Sequence, residues 1–171
     1  MVKVSKQAYR RLRYNLTKQQ TEEKAQKTLR NNRNRKVGEL FQTRLDGYHV
    51  ELKTLGLATV YRTQPEVKIQ DFPHATVTGK GPVDYLGFIS RGRTIHFDAK
   101  ARAQDFTLGD DMMHQDAWLR TMHRLGHIAG LFVWWHQHDE CRWHPVDTFD
   151  RRVRRNDGIL VPGIEWLQIF K

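Results

Sequence analysis

A chain of 171 residues, 39% hydrophobic and 11% aromatic, suits one core-forming domain with room for an appendage. Its formal net charge of +10 is unevenly placed: residues 1–36 hold twelve Lys or Arg against Glu22 and Glu23, while residues 37–171 hold seventeen of each sign. No apolar run approaches bilayer length, the start MVKVSKQAYRRLR lacks the apolar core of a signal peptide, and the single cysteine, Cys141, excludes an intrachain disulfide. The sequence therefore reads as soluble and cytoplasmic, with no membrane partner. A basic segment beside a neutral body suits a polyanion, because each phosphate neutralised releases condensed counterions; a solvated, highly charged tail is the alternative that charge alone leaves open.

Residues 5–30 are rich in Gln, Lys, Arg and Glu with a thin apolar stripe, Tyr9, Leu12 and Leu16, so a helix here gains little from packing by itself. The stretch Asn31-Asn32-Arg33-Asn34 is expected to break that helix as a linker, which divides the chain into a basic N-terminal helical arm, 1–36, and a folded body, 37–171. From Val37, Leu40, Phe41, Leu45, Tyr48, Leu52 and Leu55 recur at helical spacing up to Gly56, and Ala58–Arg62 reads as a strand. Residues 63–81, with Pro65 and Pro73, suggest a projecting hairpin or loop. Val83–Ile89 and Thr94–Ala99 are strands joined by the tight turn Ser90-Arg91-Gly92-Arg93.

Asp110–Leu125 has the period of a helix, and the apolar, β-prone run Ile128–Trp135 reads as a central strand covered on both faces. Arg142–Pro145 suggests an edge strand, Asp147 or Thr148 the cap of a short helix through Arg155, and Ile164–Phe170 the closing segment. The order is α/β, with a central mixed sheet flanked by helices.

Pro82-Val83-Asp84, a turn, then Asp98-Ala99-Lys100 carry the chemistry. Alternation along a strand puts Asp98 and Lys100 on one face, and the hairpin can bring Asp84 beside them. Two carboxylates that close repel each other unless a cation compensates, which a hard divalent ion with oxygen ligands does. Such an ion lowers the pKa of a water and binds a scissile phosphate, while a lysine adds a point charge. A bare Asp-x-Lys is also what a solvent-exposed charged strand contains. A second metal run, His136, His138, Cys141 and His144, has zinc-type ligands but not the two-plus-two finger spacing. Trp134, Trp135 and Trp143 read as core or interface residues before base-stacking platforms. Arg151-Arg152 and Arg154-Arg155 form a basic cluster, either a phosphate contact or a solvated helix face.

Pro82, Asp84, Asp98 and Lys100 match the PD-(D/E)XK nuclease signature, and the wider string Val83-Asp84-Tyr85-Leu86-Gly87, Phe97-Asp98-Ala99-Lys100, His114-Gln115 resembles the RecU-type Holliday junction resolvases over roughly Gly38 to Trp135. The resemblance implies a restriction-endonuclease-like fold, a homodimer, Mg²⁺ with Mn²⁺ able to substitute, and cleavage of four-way DNA junctions. It makes Asp84, Asp98 and Gln115 metal ligands, Lys100 the transition-state stabiliser and 63–81 the stalk that enters the junction. Glu39 resembles the extra helix glutamate of other junction-resolving nucleases and joins the catalytic set; an exposed first-turn glutamate is its structural alternative. Two positions depart from the RecU pattern: Pro82 stands where Thr is usual and Asp98 where Glu is usual, so the metal shell is expected to differ. The basic side chains assigned to DNA are Arg10, Arg11, Arg13, Arg30, Arg33, Arg35 and Lys36 in the arm, Lys68 and Lys80 in 63–81, and Arg102 beyond the site. A restriction or repair endonuclease of the same superfamily, or a DNA-binding protein that does not cut, are the alternative readings.

Overall fold

The structure, a computed structural model, describes the backbone of residues 6–63, 66–71, 74–79, 81–89 and 92–170, with side chains described from residue 20 onward outside 64–80. The chain separates into two compact units, Met1–Glu39 and Leu40–Lys171. The first consists of the leading part of helix α1 (Lys6–Thr54), whose residues 20–36 are all exposed. The expected break at Asn31–Asn34 is absent, because α1 runs straight through it. Asparagine costs a helix at most roughly 0.7 kcal/mol relative to alanine, and residues 6–37 contain no Gly or Pro to interrupt the chain.

In the second unit α1 continues to its C-terminus, where Gly56 takes a left-handed conformation (φ 67°). There Leu57 N–H donates to Leu52 O and Gly56 N–H to Lys53 O, a Schellman closure that caps the last carbonyls. Strands β1 (Ala58–Arg62), β2 (Glu66–Asp71), β3 (His74–Gly79), β4 (Tyr85–Ile89), β5 (Arg93–Arg102), β6 (Phe106–Thr107), β7 (Ile128–Trp135), β8 (Glu140–Pro145), β9 (Arg152–Val153) and β10 (Ile159–Val161) follow, with helix α2 (Met113–Arg124) between β6 and β7. Six of them form one mixed sheet in the order β1-β4-β5-β7-β8-β10, parallel only between β5 and β7. The connection through α2 accounts for that parallel pair. Segment 63–81 contains the hairpin β2–β3, a two-stranded sheet of its own.

Two apolar clusters cover the sheet's faces. Phe41, Leu45 and Leu52 of α1 pack with Tyr85, Ile95, Phe97, Phe132, Trp143 and the C-terminal Trp166 and Leu167. Leu119 of α2 packs with Leu131, Val133, Trp135, Val146, Phe149 and Val153. Alternation assigns Ile95, Phe97 and Ala99 of β5 to the α1 face, and therefore His96, Asp98, Lys100 and Arg102 to the α2 face.

Two further expectations are corrected. The segment Glu140–Pro145 is an interior strand, because β10 adds outside it. Residues 147–155 form no helix: Val153 is wholly buried on β9, which pairs with β6, and Arg120 of α2 clamps the segment by donating to Phe149 O at 3.0 Å and Asp150 O at 3.2 Å. Tertiary burial of one valine and these bonds outweigh a short helix's weak local preference.

Candidate active site

The register of the β4–β5 hairpin builds the site. Tyr85 pairs with Phe97, so Asp84 and Asp98, one step beyond on each strand, come opposite one another. Asp84 Oδ2 accepts the Ala99 N–H at 3.0 Å and lies 3.9 Å from Lys100 Nζ, while Lys100 Nζ is in close ion pairing with Asp98 Oδ2. Asp98 is wholly buried, Lys100 nearly so, and Asp84 partly open. Gln115, in the first turn of α2, donates from Nε2 to Asp98 Oδ1 at 3.0 Å. Four of the residues expected at the site thus converge.

Burial raises the Asp98 carboxyl above its ordinary value; Lys100 opposes that shift and the neighbouring Asp84 adds to it. Asp98 Oδ2 is inaccessible to solvent, and its close ion pair with Lys100 lacks hydrogen-bond geometry, which leaves lone-pair capacity that a divalent cation can use. Two carboxylates, with an amide whose terminal rotation exchanges Nε2 for Oε1, are hard oxygen donors suited to a divalent ion such as Mg²⁺. The residues fit the group.

Arg102 shares the face of Asp98 and Lys100; its guanidinium lies 4.8 Å from the Phe106 ring, and burial lowers its pKa against the opposing pull of Asp98 and Asp111. Sequence reasoning missed Thr63. Its N–H donates to Asp84 O at 2.8 Å and its hydroxyl to Val83 O, fastening the start of the β2 segment to the turn that carries the first acid. A contact across 20 residues leaves no local pattern to read.

Glu39 is exposed on α1 and pairs with Arg35 at 3.7 Å. Arg30, Arg33 and Lys36 are exposed on the same helix. The side chains of Arg10, Arg11, Arg13 and Lys68, and all of Lys80, lie outside the described residues. Among the described residues no group of three His, Cys, Asp or Glu side chains is placed to hold a metal, which removes the zinc run. Alternation along β8 sends Cys141 and His144 to opposite faces. Trp135 and Trp143 are core residues, and Trp134 is half-buried beneath Arg44, 5.4 Å from its ring.

The sequence profile of the family described as RecU, Recombination protein U, matches residues 50–159. The chain belongs to that family. As a member of the Recombination protein U family it is a Holliday junction resolvase, an endonuclease of the restriction-endonuclease-like superfamily, as the resemblance implied. The matched span contains Asp84, Asp98, Lys100 and Gln115. Among solved structures it is similar to Hjc of Archaeoglobus fulgidus, a Holliday junction resolvase from an archaeal hyperthermophile, at 19% identity and a TM-score of 0.46, over 72% of this chain and 91% of that one. No curated protein matches the chain.

Proposed function

We propose that this resolvase hydrolyses phosphodiester bonds of four-way DNA junctions at a Mg²⁺ site held by Asp84, Asp98 and Gln115, with Mn²⁺ able to substitute. The observation that carries the reading is the convergence of two carboxylates on one largely buried ammonium. A divalent ion bound there supplies Lewis acidity toward the scissile phosphate and lowers the pKa of the attacking water. Asp84 and Asp98 match the ion's charge, and the Ala99 N–H aims Asp84. Lys100 presents positive charge to the phosphate oxygens as the water oxygen bonds to phosphorus, gives up one proton to solvent, and one ester P–O bond breaks; the leaving alkoxide takes a proton from solvent.

The exposed Arg30, Arg33, Arg35 and Lys36, with Arg10, Arg11, Arg13, Lys68, Lys80 and Arg102, engage the DNA backbone, and the hairpin 63–81 enters the junction. Opposing cuts on two strands need two sites related by symmetry, hence a homodimer. The buried thiol of Cys141 fits a reducing cytoplasm.

The test is cleavage of end-labelled junction, linear duplex and single strand with Mg²⁺. Wild type cuts the junction in preference to duplex, Asp98→Ala abolishes cutting, and Lys100→Ala slows it about 10²–10³-fold, the range of losing one preorganised charge stabiliser. Cutting that survives both substitutions removes the site assignment, and equal cutting of duplex removes junction preference. Mixing wild type with Asp98→Ala gives singly nicked junctions if a dimer acts. Glu39→Gln tests the helix glutamate: an unchanged Mg²⁺ dependence removes it from the metal shell and leaves it a surface residue of α1.

A further inference from the structure

The basic cluster Arg151, Arg152, Arg154, Arg155 divides in the folded chain. On β9, Val153 is wholly buried and Arg152 points the other way, while Arg155 opens the short 3₁₀ turn Arg155–Asp157. Arg152 and Arg155 therefore reach a single open cleft of about 490 Å³, lined also by Gln104, Asp105, Trp135 and His138. Arg151 and Arg154 do not line it.

Two acids beside these arginines, Asp105 and Glu140, are already engaged. Asp105 Oδ1 accepts the Arg155 N–H at 2.9 Å, and Glu140 pairs with Arg142 at 3.1 Å and Arg155 at 3.0 Å. Arg152 pairs with no acid among the described residues. Trp135 is wholly buried and forms the floor, so it offers no stacking face to a base. Polar walls with one uncommitted guanidinium suit a phosphate better than a nucleobase or an apolar side chain.

The cleft also lies on the track of the active site. Gln104 and Asp105 continue directly from β5, whose Asp98, Lys100 and Arg102 share one face, and Arg102 stacks on Phe106, which packs 5.9 Å from Trp135. Two strand residues, Ala101 and Arg102, separate Lys100 from Ala103 at the cleft's lip, about 10 Å along the chain, a span of only a few nucleotides on one DNA strand.

We propose that this cleft is a second phosphate subsite, in which Arg152 and Arg155 hold a DNA backbone phosphate a few nucleotides from the bond cut. The subsite rests on the reading of the chain as a junction nuclease, and it fixes the strand's direction across the metal site without reading bases.

The test compares Arg152→Gln with Arg154→Gln, which remove the same charge, in full-length Asp98→Asn protein so that binding is measured without cutting. Arg152→Gln is expected to weaken junction binding about tenfold and to reduce the slope of log K against log salt by about one, with Arg154→Gln changing affinity less than about twofold. A single neutral methylphosphonate, scanned along the strand, then weakens the parent at one position and leaves Arg152→Gln unaffected there. Equal effects of the two substitutions, or no position at which that coupling occurs, overturn the subsite. Binding is read apart from cleavage. If wild type cuts no junction, the nuclease reading fails while the Arg152–phosphate coupling still decides the subsite; if it cuts and the coupling is absent, the subsite alone fails.

Discussion

On the proposed reading Asp98 sets stability against function within one side chain. Its carboxylate is wholly buried, which disfavours the charge a metal needs, and Lys100 offsets only part of that. Asp98→Asn keeps the shape: with the introduced amide and that of Gln115 both rotated, the new amide oxygen meets Lys100 and its NH₂ meets the Gln115 oxygen. We expect this variant to be more stable by about 1 kcal/mol, raising Tm by ~2–4 °C for a chain of this size, while losing cleavage. Thermal unfolding in metal-free buffer checks it, and a lowered Tm would show that the ion pair is a net stabiliser. The same residues explain why the site was legible. Strand alternation and a two-arm hairpin are local, so Asp84, Asp98 and Lys100 followed from spacing, and Gln115 from the family resemblance. Thr63 and the stacking of Arg102 on Phe106 depend on partners that only the folded chain brings together.

At the scale of elements, two buried histidines sit where elements meet. His49 of α1 is 5% exposed and its Nε2 accepts the Trp166 indole N–H at 3.1 Å, joining the helix to the C-terminal 3₁₀ segment. His144 of β8 is wholly buried, its ring pressed by Gly158, where an added Cβ would stand 2.5 Å from ring atoms. Burial lowers each imidazole from 6.5 to about 4; Asp46 opposes this at His49, and Asp157 and Asp105 oppose it at His144, where Arg142 adds to it. Each is neutral when folded, so below pH 6.5 the unfolded chain binds more protons. Their contribution is full above that value and is lost as pH falls toward 4, costing about 2 kcal/mol each at pH 5. Urea midpoints should fall steeply between pH 7.5 and 5, and His144→Leu should flatten the fall; a level profile would contradict both shifts.

Helices and strands with long apolar periods were legible for the same reason that these histidines were not. Residues 37–55, 110–125 and 128–135 carry their burial in their spacing, and all three appear where expected. The segment 147–155 takes its form from Val153 and Arg120 across the fold, and the interior place of β8 is set by β10, a strand of three residues too short to announce itself. Gly130 is a further case, visible only in the sheet. A Cβ there would meet His144 O at 2.4 Å and Trp143 at 2.8 Å, so Gly130→Ala should cost ~2–3 kcal/mol or yield insoluble protein. Solubility and chemical denaturation measure it, and a wild-type midpoint would mean that β8 yields more readily than this packing implies.

Over the whole molecule, charge and chemistry occupy different parts of the sequence. The acids and Lys100 sit in a body whose seventeen basic and seventeen acidic residues cancel, while the entire surplus lies in residues 1–36, ahead of Phe41, the first core residue among the described residues. On the proposed reading the body, neutral overall, attracts DNA through local clusters and the arm supplies the long-range attraction, each phosphate it neutralises adding about 0.9 to the salt slope on duplex. Substituting Arg30, Arg33 and Lys36 together by Gln leaves helix α1 with residues of similar propensity, so circular dichroism should not change. If all three contact phosphates, the slope of log K against log salt falls by up to about 2.7 and affinity drops most at low salt. The cutting rate at saturating junction stays within about twofold, because the arm binds but does not stabilise the transition state. A slope that stays at the wild-type value would move DNA binding onto the body and leave the arm a solvated tail, the alternative that charge alone left open.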